Sequence, residues 1–211
     1  MTAGAALLAF TATAALLTIT PGLDTALVLR TAAAEGPRRA MFAAAGIALG
    51  CLAWGLLVGA GLGALLAASQ LAYDALRWAG ALYLLYLGAK LICAPQRTME
   101  LAISGQGSAG TVQPNWLLRG FLTNMLNPKI GVFYVSFLPQ FIPAGSSVLG
   151  WSVLLASIHN VLGLIWFGAL VAATRPVLGA LQKPGVMAWL DRMTGILFIG
   201  IGLKLALSAR N

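Results

Sequence analysis

A chain of 211 residues that is 60% hydrophobic and only 9% charged, with a mean hydropathy of +0.90, is too apolar for an ordinary soluble domain. Its formal net charge of +8 would suit a nucleic-acid partner, yet the Lys and Arg residues neither cluster on one soluble segment nor interleave with aromatics, so the lipid bilayer is the expected partner. One histidine, two cysteines without metal spacing and scattered single acids give no metal centre, no cofactor site and no enzyme constellation.

A bilayer crossing takes about 20 apolar residues. Six runs are long enough, at about residues 3–29, 40–68, 70–92, 117–138, 147–173 and 186–207. These unbroken Ala, Leu and Gly runs lack the alternation of barrel strands, so the expected class is all-α: a polytopic membrane protein with six transmembrane helices. Helix one has no Lys or Arg before Arg30, hence no basic start of a cleaved signal peptide, and is expected to remain. Thr20-Pro21-Gly22 interrupts it, with Asp24 just beyond. Thr is a good N-cap and Pro suits a first helical position, so Thr20-Pro21 reads as the start of a new half-helix.

Helix two carries Gly46, Gly50, Gly55, Gly59 and Gly63, a small-residue spacing for close helix packing, and Cys51 as a small buried residue. Helix three carries Tyr83 and Tyr86 and ends near Cys93. The polar stretch 94–116, with Pro95, Ser104, Gly105, Gly107, Ser108, Gly110 and Pro114, reads as a cytoplasmic linker between three-helix halves at 1–93 and 117–211. Helix four is interrupted by Asn127-Pro128, followed at once by Lys129. A mid-bilayer charge costs roughly 2.5–3.5 kcal/mol and an interior proline roughly 3 kcal/mol, so the two together mark a site. Helix five holds His159, Asn160 and Trp166; the last, with Tyr83 and Tyr86, is a candidate for an apolar pocket, although packing or interface anchoring is the commoner role.

Helix six repeats helix three. Arg77 precedes Gly80-Ala-Leu-Tyr-Leu-Leu-Tyr-Leu-Gly-Ala-Lys90, and Arg192 precedes Gly195-Ile-Leu-Phe-Ile-Gly-Ile-Gly-Leu-Lys204, one residue shorter. Helices one and four share a proline break. Because each half has an odd number of helices, the two repeats must be inverted in the membrane, and inverted repeats with paired broken helices are a transporter signature. Nine basic residues, among them Arg38, Arg39, Lys90, Arg97, Arg119 and Arg175, fall at the connections after helices one, three and five, against Arg77, Lys204 and Arg210 opposite. That bias places both termini outside. Half-helix N-termini attract anions, so a zwitterion can be gripped with Asp24 on its ammonium and the Asn127 turn with Lys129 on its carboxylate. The blander alternatives are a structural Asp24–Lys129 ion pair or a lysine that snorkels to the interface.

Thr20-Pro21-Gly22-Leu23-Asp24, the Gly80 to Lys90 segment, and Gly120-Phe-Leu-Thr-Asn124-Met-Leu-Asn127-Pro128-Lys129 with Phe137-Leu-Pro-Gln-Phe141 resemble the LysE/RhtB family of amino-acid exporters over nearly the whole chain. The family's Pro-Gly-Pro run stands here as Pro21-Gly22-Leu23, without the second proline. The resemblance implies a secondary transporter of the bacterial inner membrane that exports amino acids or close derivatives, coupled to the proton gradient. It is not an enzyme, and homo-oligomers stay open. Thr20, Pro21, Gly22, Asp24, Asn124, Asn127, Pro128 and Lys129 are then the candidate substrate-binding residues, and Asp24 and His159 the candidate proton carriers. Asp24 is the one acid expected deep in the membrane, which favours small neutral substrates over a dication. Rival readings are an exporter of a cation or another small solute with the same architecture, and a non-transport membrane protein.

Overall fold

The computed structural model describes residues 2–68, 70–95, 115–174, 179–180 and 183–207. Most of the expected linker, together with Arg97, Arg175 and Arg210, lies outside these residues. All regular structure among the described residues is helical: α1 (Ala3–Ile19), α2 (Leu23–Glu35), α3 (Pro37–Ala68), α4 (Gln70–Cys93), α5 (Trp116–Met125), α6 (Pro128–Val132), α7 (Val148–Ala172) and α8 (Pro184–Leu207). Pro37–Gly61 and Val148–Ala172, 25 residues each, are long and apolar enough to cross a membrane, and α1 with α2 passes the same test as a span bent by 50°. Large apolar side chains such as Leu8, Leu57, Ile165 and Ile196 stand exposed on the outside of the bundle, where lipid rather than water is the fitting solvent.

Local chemistry sets most helix ends. Thr2, Asn115 and Ser147 cap α1, α5 and α7, each side-chain oxygen accepting from a first-turn N–H. Gly36, at φ 91°, makes the left-handed turn into α3 that a side chain would resist.

The two breaks both arise because a residue before proline is pushed out of the helical region. Thr20 has φ −73° and ψ 120°, and Asn127 has φ −79° and ψ 108°. Asn127 behaves as expected: it caps α6 with Pro128 in the first turn. Thr20 corrects the expectation. It closes α1 as its C-cap, its hydroxyl donating back to the Leu16 carbonyl at 2.7 Å, and α2 starts only after Gly22. After α6 the backbone widens into a π-helical turn at Phe133–Phe137 and tightens into a 3-10 turn at Leu138–Phe141.

Glycines of α3 bring its neighbours close. A Cβ at Gly46 would overlap the Leu117 carbonyl of α5, and one at Gly120 would overlap that of Ala43, so α3 and α5 run parallel in near backbone contact. Gly55 faces Ala156 and Gly59 faces Leu149, which makes α3 and α7 antiparallel; the surroundings of Gly63 lie outside the described residues. α4 and α8 pair antiparallel, with Gly88 against Gly195 and Ala81 against Gly202.

Two buried clusters flank the breaks. One gathers Phe10, Phe133, Phe137 and Phe141 of α1 and the π and 3-10 turns, with ring centroids as near as 4.7 Å. The other packs Ala26 to Leu29 of α2 against Ala40, Ala43 and Ile47 of α3 and Phe167 of α7.

Candidate substrate-binding site

Lys129 leaves the first turn of α6 and crosses to the end of α1. Its Nζ donates to the carbonyls of Thr20 at 2.8 Å and Leu17 at 3.1 Å. The last carbonyls of α1 lack helical partners because the helix stops there, and the ammonium satisfies two of them at the negative end of the helix dipole. An ammonium has three N–H donors, so one remains. Lys129 therefore neither snorkels nor pairs directly with Asp24: no contact within 4.0 Å joins the two charges.

Asp24 sits in the first turn of α2 and is buried. Its Oδ2 accepts from Asn124 Nδ2 at 2.8 Å, and the same amide lies 3.4 Å from Cys51 Sγ. Asp24 Oδ1 is buried and lacks a geometric hydrogen bond. The Asn127 side chain also lies against this carboxylate, so two asparagines from the second half of the chain hold Asp24. Gly50 makes the Asn124 position available, because a Cβ there would stand 2.5 Å from Asn124 Oδ1. That glycine thus does more than pack helices, a role its spacing did not reveal.

The two charges line a small, partly enclosed cavity of about 40 Å³. Thr20, Gly22, Asp24, Asn127, Lys129 and His159 line its polar end. Pro21 and Pro128 do not line it; they act by shaping the breaks. Asn124 stands behind Asp24 and orients it. His159 is buried, its Nδ1 lying 3.1 Å from the Tyr134 hydroxyl. Asn160 donates to the Ala48 carbonyl at 3.0 Å and ties α7 to α3 at the cavity wall.

The breaks offer different donors to this space. At α6 the Asn127 side chain already accepts from the Lys129 N–H at 3.1 Å, so the turn expected to hold a carboxylate is capped from within. At α2 no side chain caps Gly22, and the free N–H groups of that helix start open beside Lys129, whose Nζ lies 3.7 Å from where a Gly22 Cβ would stand. The α2 start thus lacks the side-chain cap that the α6 start has.

Of the two readings of the aromatics, an apolar pocket and packing or anchoring, the pocket is not seen at this cavity. Tyr83 and Tyr86 are exposed on α4 and Trp166 does not line the cavity; Ile47, Leu164 and Phe167 supply its apolar wall. Asp191 on α8 is buried alongside Thr194, so Asp24 is not the one acid inside the bundle, although Asp191 is outside the cavity lining.

The family described as LysE type translocator matches residues 15–209. Among relatives, YrhP of Bacillus subtilis (strain 168), described as an uncharacterized membrane protein, is 30% identical, covering 96% of this chain and 99% of its own. A membrane protein of Vibrio cholerae serotype O1 is 31% identical over 94% and 95% of the two chains. The leucine efflux protein of Enterobacter sp. (strain 638) is 30% identical over 89% of each. No solved structure matches.

Proposed function

The chain belongs to the LysE type translocator family, and we propose that it is a secondary transporter exporting small neutral amino acids, coupled to protons. One observation carries the substrate class: Asp24, with a carboxylate oxygen that lacks a geometric hydrogen bond, and Lys129, with one of three N–H donors uncommitted, line the same cavity without forming a salt bridge. One negative and one positive charge held apart match an ammonium and a carboxylate on one small molecule, and leave no surplus charge for a dication. The ammonium binds Asp24 Oδ1. The carboxylate takes the open N–H groups of α2 at Gly22 and the third donor of Lys129. The name of the Enterobacter relative points to the same substrate class.

The proposed architecture is six crossings in two inverted repeats, 1–93 and 117–211, joined by a cytoplasmic linker at 94–116. Supporting it, both opening helices break before proline, and the Gly88–Gly195 contact of α4 and α8 has a counterpart in Gly202–Ala81, as a two-fold axis in the membrane plane requires. The bacterial inner membrane, with both termini outside, follows from the basic connections. Asp24 and His159, both lining the cavity, are the proposed proton carriers.

Efflux of a preloaded amino-acid panel from cells expressing the wild type, Asp24→Asn or Lys129→Met, with membrane abundance matched, tests this reading. Wild-type efflux that each variant lowers about tenfold or more is the expected result. A wild type that moves no amino acid overturns the substrate class, and efflux indifferent to an imposed pH gradient in proteoliposomes overturns the coupling.

A further inference from the structure

The apolar end of the cavity is built by two helix faces. Ala44, Ile47 and Ala48 recur at three- and four-residue spacing on α3, and Gly163, Leu164 and Phe167 oppose them on α7. His159 and Asn160 share this wall one turn before Gly163, Asn160 bonding the Ala48 carbonyl, while Asp24, Cys51 and Lys129 also line the cavity. A side chain entering between the two faces therefore meets a mostly apolar wall with a polar edge.

Gly163 differs from the glycines that bring helices together, and unlike Gly4, Gly61, Gly168 and Gly200, which also have room for a Cβ, it lines the cavity. At Gly46, Gly50, Gly55, Gly59, Gly88 and Gly120 an added Cβ would stand 3.0 Å or less from a neighbouring helix. At Gly163 the nearest atom is Phe167 Cε2 at 4.0 Å, an ordinary contact. Close helix packing does not demand glycine there. What the missing side chain provides is cavity volume, in a site where the buried Asp24 Oδ1 already lacks a geometric hydrogen bond.

We infer that Gly163, with Ala48 beside it and Phe167 as its floor, forms the side-chain subsite of the exported molecule and sets the largest aliphatic side chain it accepts. This rests on the amino-acid reading above. Apolar pockets discriminate about 10- to 200-fold per methylene added or removed, so a single methyl placed in the subsite is readable in transport.

The test is efflux of glycine, alanine, valine and leucine, loaded together, by the wild type, Gly163→Ala, Gly163→Val and Ala48→Val, at matched membrane abundance. The leucine-to-alanine efflux ratio is expected to fall about tenfold in Gly163→Ala and further in Gly163→Val. Gly163→Ala adds only a methyl with room for it, so it carries the test if the valine variant fails to reach the membrane. An unchanged ratio in Gly163→Ala and Ala48→Val, or a uniform loss of all four substrates, overturns the subsite while leaving an active wild type and the amino-acid reading intact. A wild type that exports none of the four sinks the amino-acid reading itself, and the subsite with it.

Discussion

The helix-one and helix-four breaks begin from the same kind of dipeptide, a polar residue followed by proline, yet they are finished by different means. At Asn127-Pro128 the cap is local: Asn127 Oδ1 accepts from the N–H two residues on, and α6 starts with its donors engaged. At Thr20-Pro21 the polar side chain turns back to close α1, Gly22 brings no side chain, and α2 starts uncapped. The carbonyl end of α1 is closed from the other half of the chain by Lys129, 109 residues from Thr20. The self-sufficient break thus supplies the group that the dependent break lacks, and the dependent break keeps free donors for a ligand. The proposed binding site lies where local capping is left incomplete.

The largest way to break that asymmetry is Lys129→Met. Two α1 carbonyls lose their donor, at about 1–3 kcal/mol each, and Asp24 loses the nearby positive charge. Thermal unfolding in detergent should show a marked drop in melting temperature together with loss of export; an unaltered melting temperature would mean that the lysine bonds are dispensable to the fold. Asp24→Asn comes next and separates charge from shape. The amide keeps an acceptor for Asn124, so the bundle should hold, while replacing a charged acceptor by a neutral one weakens ammonium binding by about 1.5–3 kcal/mol, roughly ten- to hundredfold in export rate. Full export by this variant would remove Asp24 from the site.

Gly50→Ala probes the support behind Asp24. Its methyl would stand 2.5 Å from Asn124 Oδ1 and 2.9 Å from Asn124 Cβ, an overpacking worth about 1–3 kcal/mol, visible as a lower melting temperature. The smallest effects sharpen the comparison most directly. Asn127→Ala should cost about 1 kcal/mol, the ordinary worth of an N-cap. Gly22→Ser does the reverse: a Cβ there meets Lys129 Cδ at an ordinary 3.6 Å, and the hydroxyl can cap α2. It should raise the melting temperature slightly and weaken export, because the cap takes donors reserved for the carboxylate. Export unchanged in Gly22→Ser would argue against the α2 start as the carboxylate site.

The residues that could be found by reading the chain are those whose chemistry is conspicuous where they stand. Asp24 and Lys129 are charges in apolar runs, and Pro21 and Pro128 stop helices wherever they fall. Gly22 and Asn127 were found as their neighbours. What escaped was relational. The partners of Lys129 are backbone carbonyls, which every residue has and no sequence pattern marks. Asn124 reaches Asp24 across 100 residues, and nothing local distinguishes it from an asparagine facing elsewhere. Tyr83 and Tyr86 could by type line a pocket or anchor a surface, and only the outward turn of α4 decides between them; the apolar cavity wall is made from alanines, a glycine, aliphatic side chains and Phe167. Asp191 was passed over, because its burial inside the bundle is set by how α8 packs.

By itself the sequence determined that this protein is helical and membrane-bound, where two of its helices must break, and which opposite charges enter the apolar interior. These follow from backbone and solvation rules that act within a few residues. The tertiary structure alone decided that Lys129 closes the end of α1 rather than pairing with Asp24, that the open helix start is at Gly22 rather than Asn127, and that Gly163 gives space rather than contact. A donor or acceptor left over by local capping is satisfied by whatever folding brings within about 3 Å, and that is a property of packed helices rather than of neighbouring residues.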